Sequence, residues 1–413
     1  MANLLFLAHR LPYPPDKGDK VRSYHVLRHL AARHRVHVGT FVDDAADLAH
    51  LPAFAAQCAG VHAVRLHPRR ARVASLAALV RGEALTLAYY RDAGLARWVE
   101  ATCREQSIDA AFVFSSSMAP YLQHGTVPVL LDFVDVDSAK WAQYAAARRG
   151  PSAWLYRREG ERLLAFERAA CRRAARSFFV TAQEAALFAR LAPDCAAAID
   201  VLGNGVDAAR FAPDPARAAP FATSAPVLVF TGAMDYWPNV DAVCWFVRAM
   251  LPRLRERFPA LTLQIVGRHP APAVRELASA AVAVTGTVPD VRPYLQHASV
   301  VVAPLRLARG VQNKVLEAMA MGRPVVAARP CVAAIGAVDG AELLGADTVA
   351  EHVEAIAGLL ADPARAAAIG AAARQRVLAS HGWEAQLAPL DRHLERVLAA
   401  GPGAVPAPTA CWA

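Results

Sequence analysis

The stretch Arg309-Gly310-Val311-Gln312-Asn313-Lys314-Val315-Leu316-Glu317-Ala318-Met319-Ala320-Met321-Gly322-Arg323-Pro324-Val325-Val326 decides how this chain is to be read. Gly310 opens a loop, good helix formers run from Lys314 to Met321, and Gly322 with Pro324 ends the helix in a turn. The β-branched pair Val325-Val326 then starts a strand. Loop, helix, turn and strand in that order make one unit of a parallel α/β sheet. The peptide N–H groups at the helix start lack intrahelical acceptors and face outward with the positive end of the dipole, which suits a diphosphate. Lys314 adds a mobile cation, and Glu317, one turn on, suits a ribose diol, whose two hydroxyls its carboxylate can accept.

Working outward, the same alternation recurs along the chain. Strands are expected at Asn3–Leu7, Val36–Phe41, Val61–Leu66, Ala110–Phe114, Val129–Asp132, Ser177–Val180 and Ile199–Leu202. After a Pro/Ala-rich stretch, Ala212–Pro226, read as the connection between domains, strands resume at Val227–Thr231, Leu261–Val266, Val282–Thr285, Ser299–Ala303 and Pro324–Ala327. Helices lie between them, for instance Val21–Arg33, with a last one at Trp383–Ala399. The expected layout is a Rossmann-like domain over 1–205, a second over 206–381, a C-terminal helix at 382–400 packing back toward the first domain, and a disordered tail at 401–413.

Composition bounds the alternatives. The 413 residues carry a net charge of +9, mostly on arginine, which suits anionic nucleotides, an anionic membrane or nucleic acid; a GC-rich coding bias explains it equally well. Seven scattered cysteines without a C-x-x-C pair suggest neither a disulfide framework nor a thiolate zinc site and fit a reducing cytosol. No run of 18 uncharged apolar residues predicts a membrane span, and the apolar start is too short for a signal peptide.

Three further segments matter. Gly203-Asn204-Gly205-Val206-Asp207-Ala208 matches G-x-G-x-x-A, but Pro213 and Pro215 follow where a dinucleotide fingerprint needs a helix. It reads instead as a turn in which Asn204 tolerates a positive φ. Gly286-Thr287-Val288-Pro289-Asp290 follows a strand at the sheet edge where α/β ligands bind, so peptide groups of Val288 are candidates to read a base; an ordinary turn capped by Asp290 fits as well. Near the N-terminus, Pro12-Tyr13-Pro14-Pro15-Asp16-Lys17-Gly18-Asp19 leads into a helix bearing Arg22.

Together these segments resemble glycosyltransferase family 4, retaining enzymes of the GT-B fold. The E-A-M-A-x-G-x-P-V-V run, the N-G-V-D junction Asn204–Asp207 and the base-side loop carry the resemblance over residues 1 to about 398. Pro12-Tyr13-Pro14-Pro15, the run Asp132–Trp141 and Arg309–Lys314 look similar to the exosortase (PEP-CTERM) associated sugar transferases, which points to bacterial exopolysaccharide or cell-surface glycan synthesis in the cytoplasm, at the inner face of the membrane if peripheral. The resemblance implies two Rossmann-like domains closing on a nucleotide-diphosphate sugar, a glycan or lipid-linked glycan acceptor, and neither metal nor cofactor. The donor-binding set becomes Gly18, Arg22, Gly232, Arg268, Val288, Arg306, Gly310, Val311, Gln312, Asn313 and Glu317. The family's E-x7-E pattern would put a glutamate where Arg309 stands, which leaves the sugar contact open; Arg306, Arg309 and Lys314 form either a phosphate clamp or a solvated basic loop.

Lys314 and Arg309 are the expected stabilisers of charge on the leaving diphosphate. Asp135 or Asp137, together a literal D-x-D, is expected to orient the acceptor hydroxyl rather than to bind metal. The stretch Arg148–Arg176 holds nine arginines against three glutamates, which reads either as a basic face for an anionic membrane or as a solvated helix face. No nucleic-acid partner is expected. A nucleotide-sugar 2-epimerase, a non-catalytic binding module and a dehydrogenase are the competing functions.

Overall fold

The structure, a computed structural model, describes residues 1–400 except 16, 17, 124, 147, 222 and 309. Arg309 and the tail at 401–413 therefore lie outside the described residues. The chain divides into two compact units, 1–203 with the C-terminal segment from 387, and 204–386.

The first unit holds a seven-stranded parallel sheet: β1 (Asn3–Ala8), β2 (Arg35–Val42), β3 (Gly60–Arg65), β4 (Ala110–Phe114), β5 (Val129–Val134), β6 (Arg176–Phe179) and β7 (Ile199–Val201), in the order β3-β2-β1-β4-β5-β6-β7. Its central strands are apolar on both faces, as helices on either side of a parallel sheet require; Leu4 to Ala8 and Ala110 to Phe114 are all buried. The second unit repeats the plan with β8 (Val227–Thr231), β9 (Thr262–Val266), β10 (Val282–Gly286), β11 (Val300–Ala303), β12 (Val325–Ala327) and β13 (Leu344–Gly345), ordered β10-β9-β8-β11-β12-β13. In each sheet the order reverses beside the unit's first strand, leaving a crevice at the carboxyl ends of β1 and of β8.

Local chemistry sets the helix ends. Asp92 caps the Ala93–Glu105 helix through Leu95 N, and Thr348 with Glu351 forms a capping box on Val349–Ala361. The first helix, Gly18–Ala31, starts three residues before the expected Val21 because Gly18 and Asp19 form its first turn. The two-residue β13 is too short to leave a periodic signal.

The Pro/Ala-rich stretch is not the connection between units, which change at Gly203/Asn204. It is strapped to the second unit: Gln296 accepts from Asp214 N at 2.9 Å and donates to Asp214 O at 2.7 Å, while His297 meets Arg217 O at 2.7 Å. The last helix, Trp383–Ala400, carries Asp391 to His29 and His393 to Asp200, both at 2.7 Å, within the first unit. No single helix among the described residues is long and apolar enough to cross a membrane; Val349–Ala361 and Pro363–Ser380 pass that test only as a pair, and they bend by 106°.

Candidate functional site

The second unit's crevice is built from chain that must come very close together. Gly232, just after β8, and Gly267, just after β9, touch backbone to backbone: a Cβ on Gly267 would lie 1.6 Å from Gly232 O. A Cβ on Gly232 would in turn fall 2.7 Å from Asn239 Nδ2 and 3.0 Å from Lys314 Nζ. Only glycine serves at either position.

Into this space comes the Asn313–Ala320 helix. Its N-cap, Gln312, is extended (φ −89°, ψ 104°), and the Gln312 side chain does not cap the helix. The peptide N–H groups of Val311, Asn313 and Lys314 meet no acceptor among the described residues, so an anion-binding end is left open. Gly310 has φ 60°, which turns the chain into this start.

Lys314 leans over the Phe230 ring, 4.3 Å from its centroid, and donates to Asn239 Oδ1 at 2.5 Å. Burial pulls its ammonium down to about 8, against the opposing field of Cys331 and Glu317. Glu317, half-buried one turn along, has no hydrogen-bond or ion-pair partner among the described residues. Burial pushes its carboxyl up to about 7, although Lys314 and Arg210 favour the charged form. The arrangement offers bare N–H groups and an ammonium to an anion, and an unspent carboxylate to a hydroxyl pair.

Sequence reasoning missed two residues here. Asn239 is buried, holds Lys314 and donates to Ala233 O at 2.9 Å. Asn204 donates to Asn313 Oδ1 at 3.1 Å, so the N-G-V-D segment meets the helix start directly. Asn204 has no positive φ, contrary to the turn expected from Asn-Gly, and Gly205 is required because a Cβ would come 2.7 Å from Trp383 Cα.

At the same rim, Arg268 follows β9 and accepts from Met234 N through its carbonyl at 2.9 Å. The peptide groups of Val288, half-buried after β10, meet no partner among the described residues. Arg306, open in sequence between a phosphate clamp and a solvated basic loop, is held by an acidic partner. Its guanidinium pairs with Asp241, Nε to Oδ2 at 2.9 Å, and lies 5.2 Å over the Trp245 ring.

In the first unit, Arg22 is spent on structure and not on a ligand. It is buried and donates to both oxygens of buried Asp132 (2.8 and 3.1 Å), to Leu202 O (2.6 Å) and to Gly203 O (3.0 Å). Gly18 opens its helix exposed to solvent, while the next residue, Asp19, pairs with Arg10 at 2.8 Å. Burial alone would raise the Asp19 carboxyl, yet His9 and Arg10 outweigh it and hold the group well below the usual carboxylate range.

Asp135 and Asp137 are also committed. Lys140 Nζ spans them at 3.0 and 2.9 Å, and its charge is held because the two carboxylates outweigh its burial. Lys140 takes one oxygen of each carboxylate, and the buried Oδ1 of Asp135 has no hydrogen-bond partner among the described residues. The signal was present: Asp137 opens a helix, and Lys140 stands one turn on. No three His, Cys, Asp or Glu side chains converge on a metal position among the described residues. The basic stretch is largely paired off too, with Arg168 and Arg172 on Asp194, and Arg158 and Arg176 on backbone carbonyls.

Known proteins resemble this chain in sequence over part of its length and in fold over most of it. Residues 225–362 match the family model described as "Glycosyl transferases group 1". A GDP-mannose-dependent alpha-(1-6)-phosphatidylinositol monomannoside mannosyltransferase of Mycolicibacterium smegmatis is 34% identical over 208 residues, covering 45% of this chain and 53% of the relative. The match thus spans about half the relative's length. Among solved structures, sucrose-phosphate synthase from Thermosynechococcus elongatus superposes with a TM-score of 0.74 at 18% identity, covering 97% of this chain and 100% of that one. HepE of Anabaena, in complex with UDP-glucose, does so at 0.69 and 15%, covering 96% and 100%. With two parallel Rossmann-like sheets, these likenesses establish the GT-B fold.

Proposed function

We propose that the chain is a retaining glycosyltransferase that moves a sugar from a nucleotide-diphosphate donor to an acceptor hydroxyl, in bacterial exopolysaccharide or cell-surface glycan synthesis. One observation carries this reading: the start of the Asn313–Ala320 helix, where the N–H groups of Asn313 and Lys314 meet no acceptor among the described residues, with Lys314 and Glu317, the latter without a partner among the described residues, one turn apart on it. The match of residues 225–362 to group 1 glycosyl transferases, and relatives whose names specify GDP-mannose and UDP-glucose, support a nucleotide-sugar ligand.

In this reading the diphosphate lies on the N–H groups of Val311, Asn313 and Lys314, and Glu317 accepts from the two ribose hydroxyls. Gly232 lets the phosphates approach the backbone, and Val288 and Arg268 lie toward the base side. The bond from the anomeric carbon to the diphosphate oxygen breaks as the acceptor oxygen bonds that carbon on the same face. The acceptor proton passes to the departing phosphate, so the protein need not supply a strong base. Its contribution is electrostatic: fixed N–H dipoles and Lys314 meet the charge that grows on the leaving group. The reading involves no metal or cofactor, and the acceptor is a glycan or lipid-linked glycan, reached in the cytoplasm at the inner membrane face.

The test is a panel of nucleotide sugars screened for protection against thermal unfolding, followed by transfer assays with the protecting donor. Protection by one nucleoside-diphosphate sugar, lost in Glu317→Ala, is expected. Protection by a dinucleotide alone, or equal donor affinity in Glu317→Ala, would overturn the assignment. Lys314→Ala should lower turnover by about tenfold or more, the usual cost of removing one oxyanion-stabilising group.

A further inference from the structure

In most helices of a globular protein the large apolar side chains face inward. The helices Pro68–Ser75 and Ala77–Arg81, joined through Leu76 in helical conformation, reverse this. Their inward positions are the small residues Ala71, Ser75 and Ala78. Facing solvent are Val73 (70% exposed), Leu76 (51%) and Val80 (94%), spaced three and four apart and therefore on one face. Such an apolar stripe marks an interaction surface rather than scatter.

The stripe is held out rigidly. Arg158 donates to Ala78 O at 3.1 Å and Glu83 O at 3.0 Å, at the end of the second helix. Its neighbour Glu159, buried, accepts from Leu85 N at 2.7 Å and Thr86 N at 2.8 Å, at the start of the next. The turn between helices is thereby fixed at both ends.

Its charge says what covers it. Arg69, Arg70, Arg72 and Arg81 border the stripe, all exposed and none ion-paired among the described residues, and residues 66–82 contain no acid. Two copies placed face to face would oppose arginine to arginine. An apolar stripe within a cationic rim is the chemistry of an anionic lipid surface: the rim meets headgroups while the stripe enters the acyl boundary. We propose that this face, rather than the Arg148–Arg176 stretch, seats the protein on anionic membrane. The inference bears on where the acceptor proposed above resides, but it is read without donor or transfer, so either can fail alone.

The experiment is flotation of the full chain with phosphatidylcholine vesicles and with phosphatidylcholine–phosphatidylglycerol vesicles. Binding to the anionic vesicles only is expected. The combined Val73→Asp, Leu76→Asp and Val80→Asp variant should lose roughly tenfold or more in partitioning with unchanged melting. A second variant, Arg69→Gln with Arg70→Gln and Arg72→Gln, should lose the preference for anionic lipid. Failure of the wild type to float, equal binding to both vesicles, or undiminished binding by the aspartate variant would each overturn the proposal. So would concentration-dependent self-association that the aspartate variant abolishes without any vesicle binding, since that outcome assigns the face to a second copy.

Discussion

Lys314 Nζ sits 2.5 Å from Asn239 Oδ1, and the amide nitrogen of the same asparagine is tied to Ala233 O. Both ends of the amide are thus used, so the ammonium is aimed by a group that cannot rotate without losing a bond. In Asn239→Ala the lysine is free to swing, and kcat should fall by about tenfold, with donor KM changing less. Asn239→Asp should retain the aim but raise the Lys314 pKa, moving the alkaline limb of the pH profile upward. A purely structural asparagine would leave that limb in place.

The pH dependence follows from two opposed groups. Donor binding needs Glu317 ionised, which burial delays to about 7, and Lys314 charged, which burial ends at about 8. The kcat/KM profile, which reports the free enzyme, should therefore rise through about 7 and fall through about 8. Glu317→Gln should abolish the acid limb while lowering the plateau. A flat profile from pH 6 to pH 9 (roughly three units) would contradict both assignments.

Arg22 and Asp132 join the first helix, β5 and the chain leaving β7. Removing one partner leaves the other charged and buried, so Arg22→Ala should cost on the order of 3–5 kcal/mol in denaturant unfolding. Little loss of stability, with donor binding abolished, would return Arg22 to a ligand role.

His352 is fully buried in the second unit, and neither ring nitrogen has a hydrogen-bond partner among the described residues. Burial lowers its pKa to about 4 from an ordinary 6.5, so the unfolded chain takes the proton first. Stability is present above pH 6.5 and drains as pH falls toward 4. His352→Leu should flatten this slope and add on the order of 1 kcal/mol at neutral pH, read from melts across that range.

Gly267→Ala would drive a Cβ into Gly232 O. The obstacle is backbone, so no rotamer relieves it. A loss of about 1–3 kcal/mol together with donor binding is expected, whereas Gly286→Ala, where nothing lies within 4 Å, should spare the crevice despite its own φ of 68°.

Strands were readable where β-branched and aromatic runs end at turn residues, and β4 and β8 have the limits expected from the sequence. The Asn313–Ala320 helix was readable because Gly310 and Gly322 punctuate it. Lys140 lay in plain sight beside the D-x-D, but which charge it answers depends on the turn that Asp137 starts. Arg22 and Arg306 read as ligand contacts because an arginine's partner is invisible in one dimension: Asp132 is 110 residues from Arg22, and Asp241 is 65 from Arg306.

By itself the sequence determined the two α/β sheets and the helix that presents Lys314 and Glu317, because periodicity, glycine and proline act over a few neighbouring residues. Tertiary structure alone decided which charges remain for chemistry. Asp132 and Asp241 consume candidate groups, Lys140 takes one oxygen of Asp135 and one of Asp137, Asn239 aims Lys314, and the Pro68–Arg81 helices turn their large side chains outward. Pairing and burial depend on what the fold brings within a few ångströms, and no local pattern encodes that.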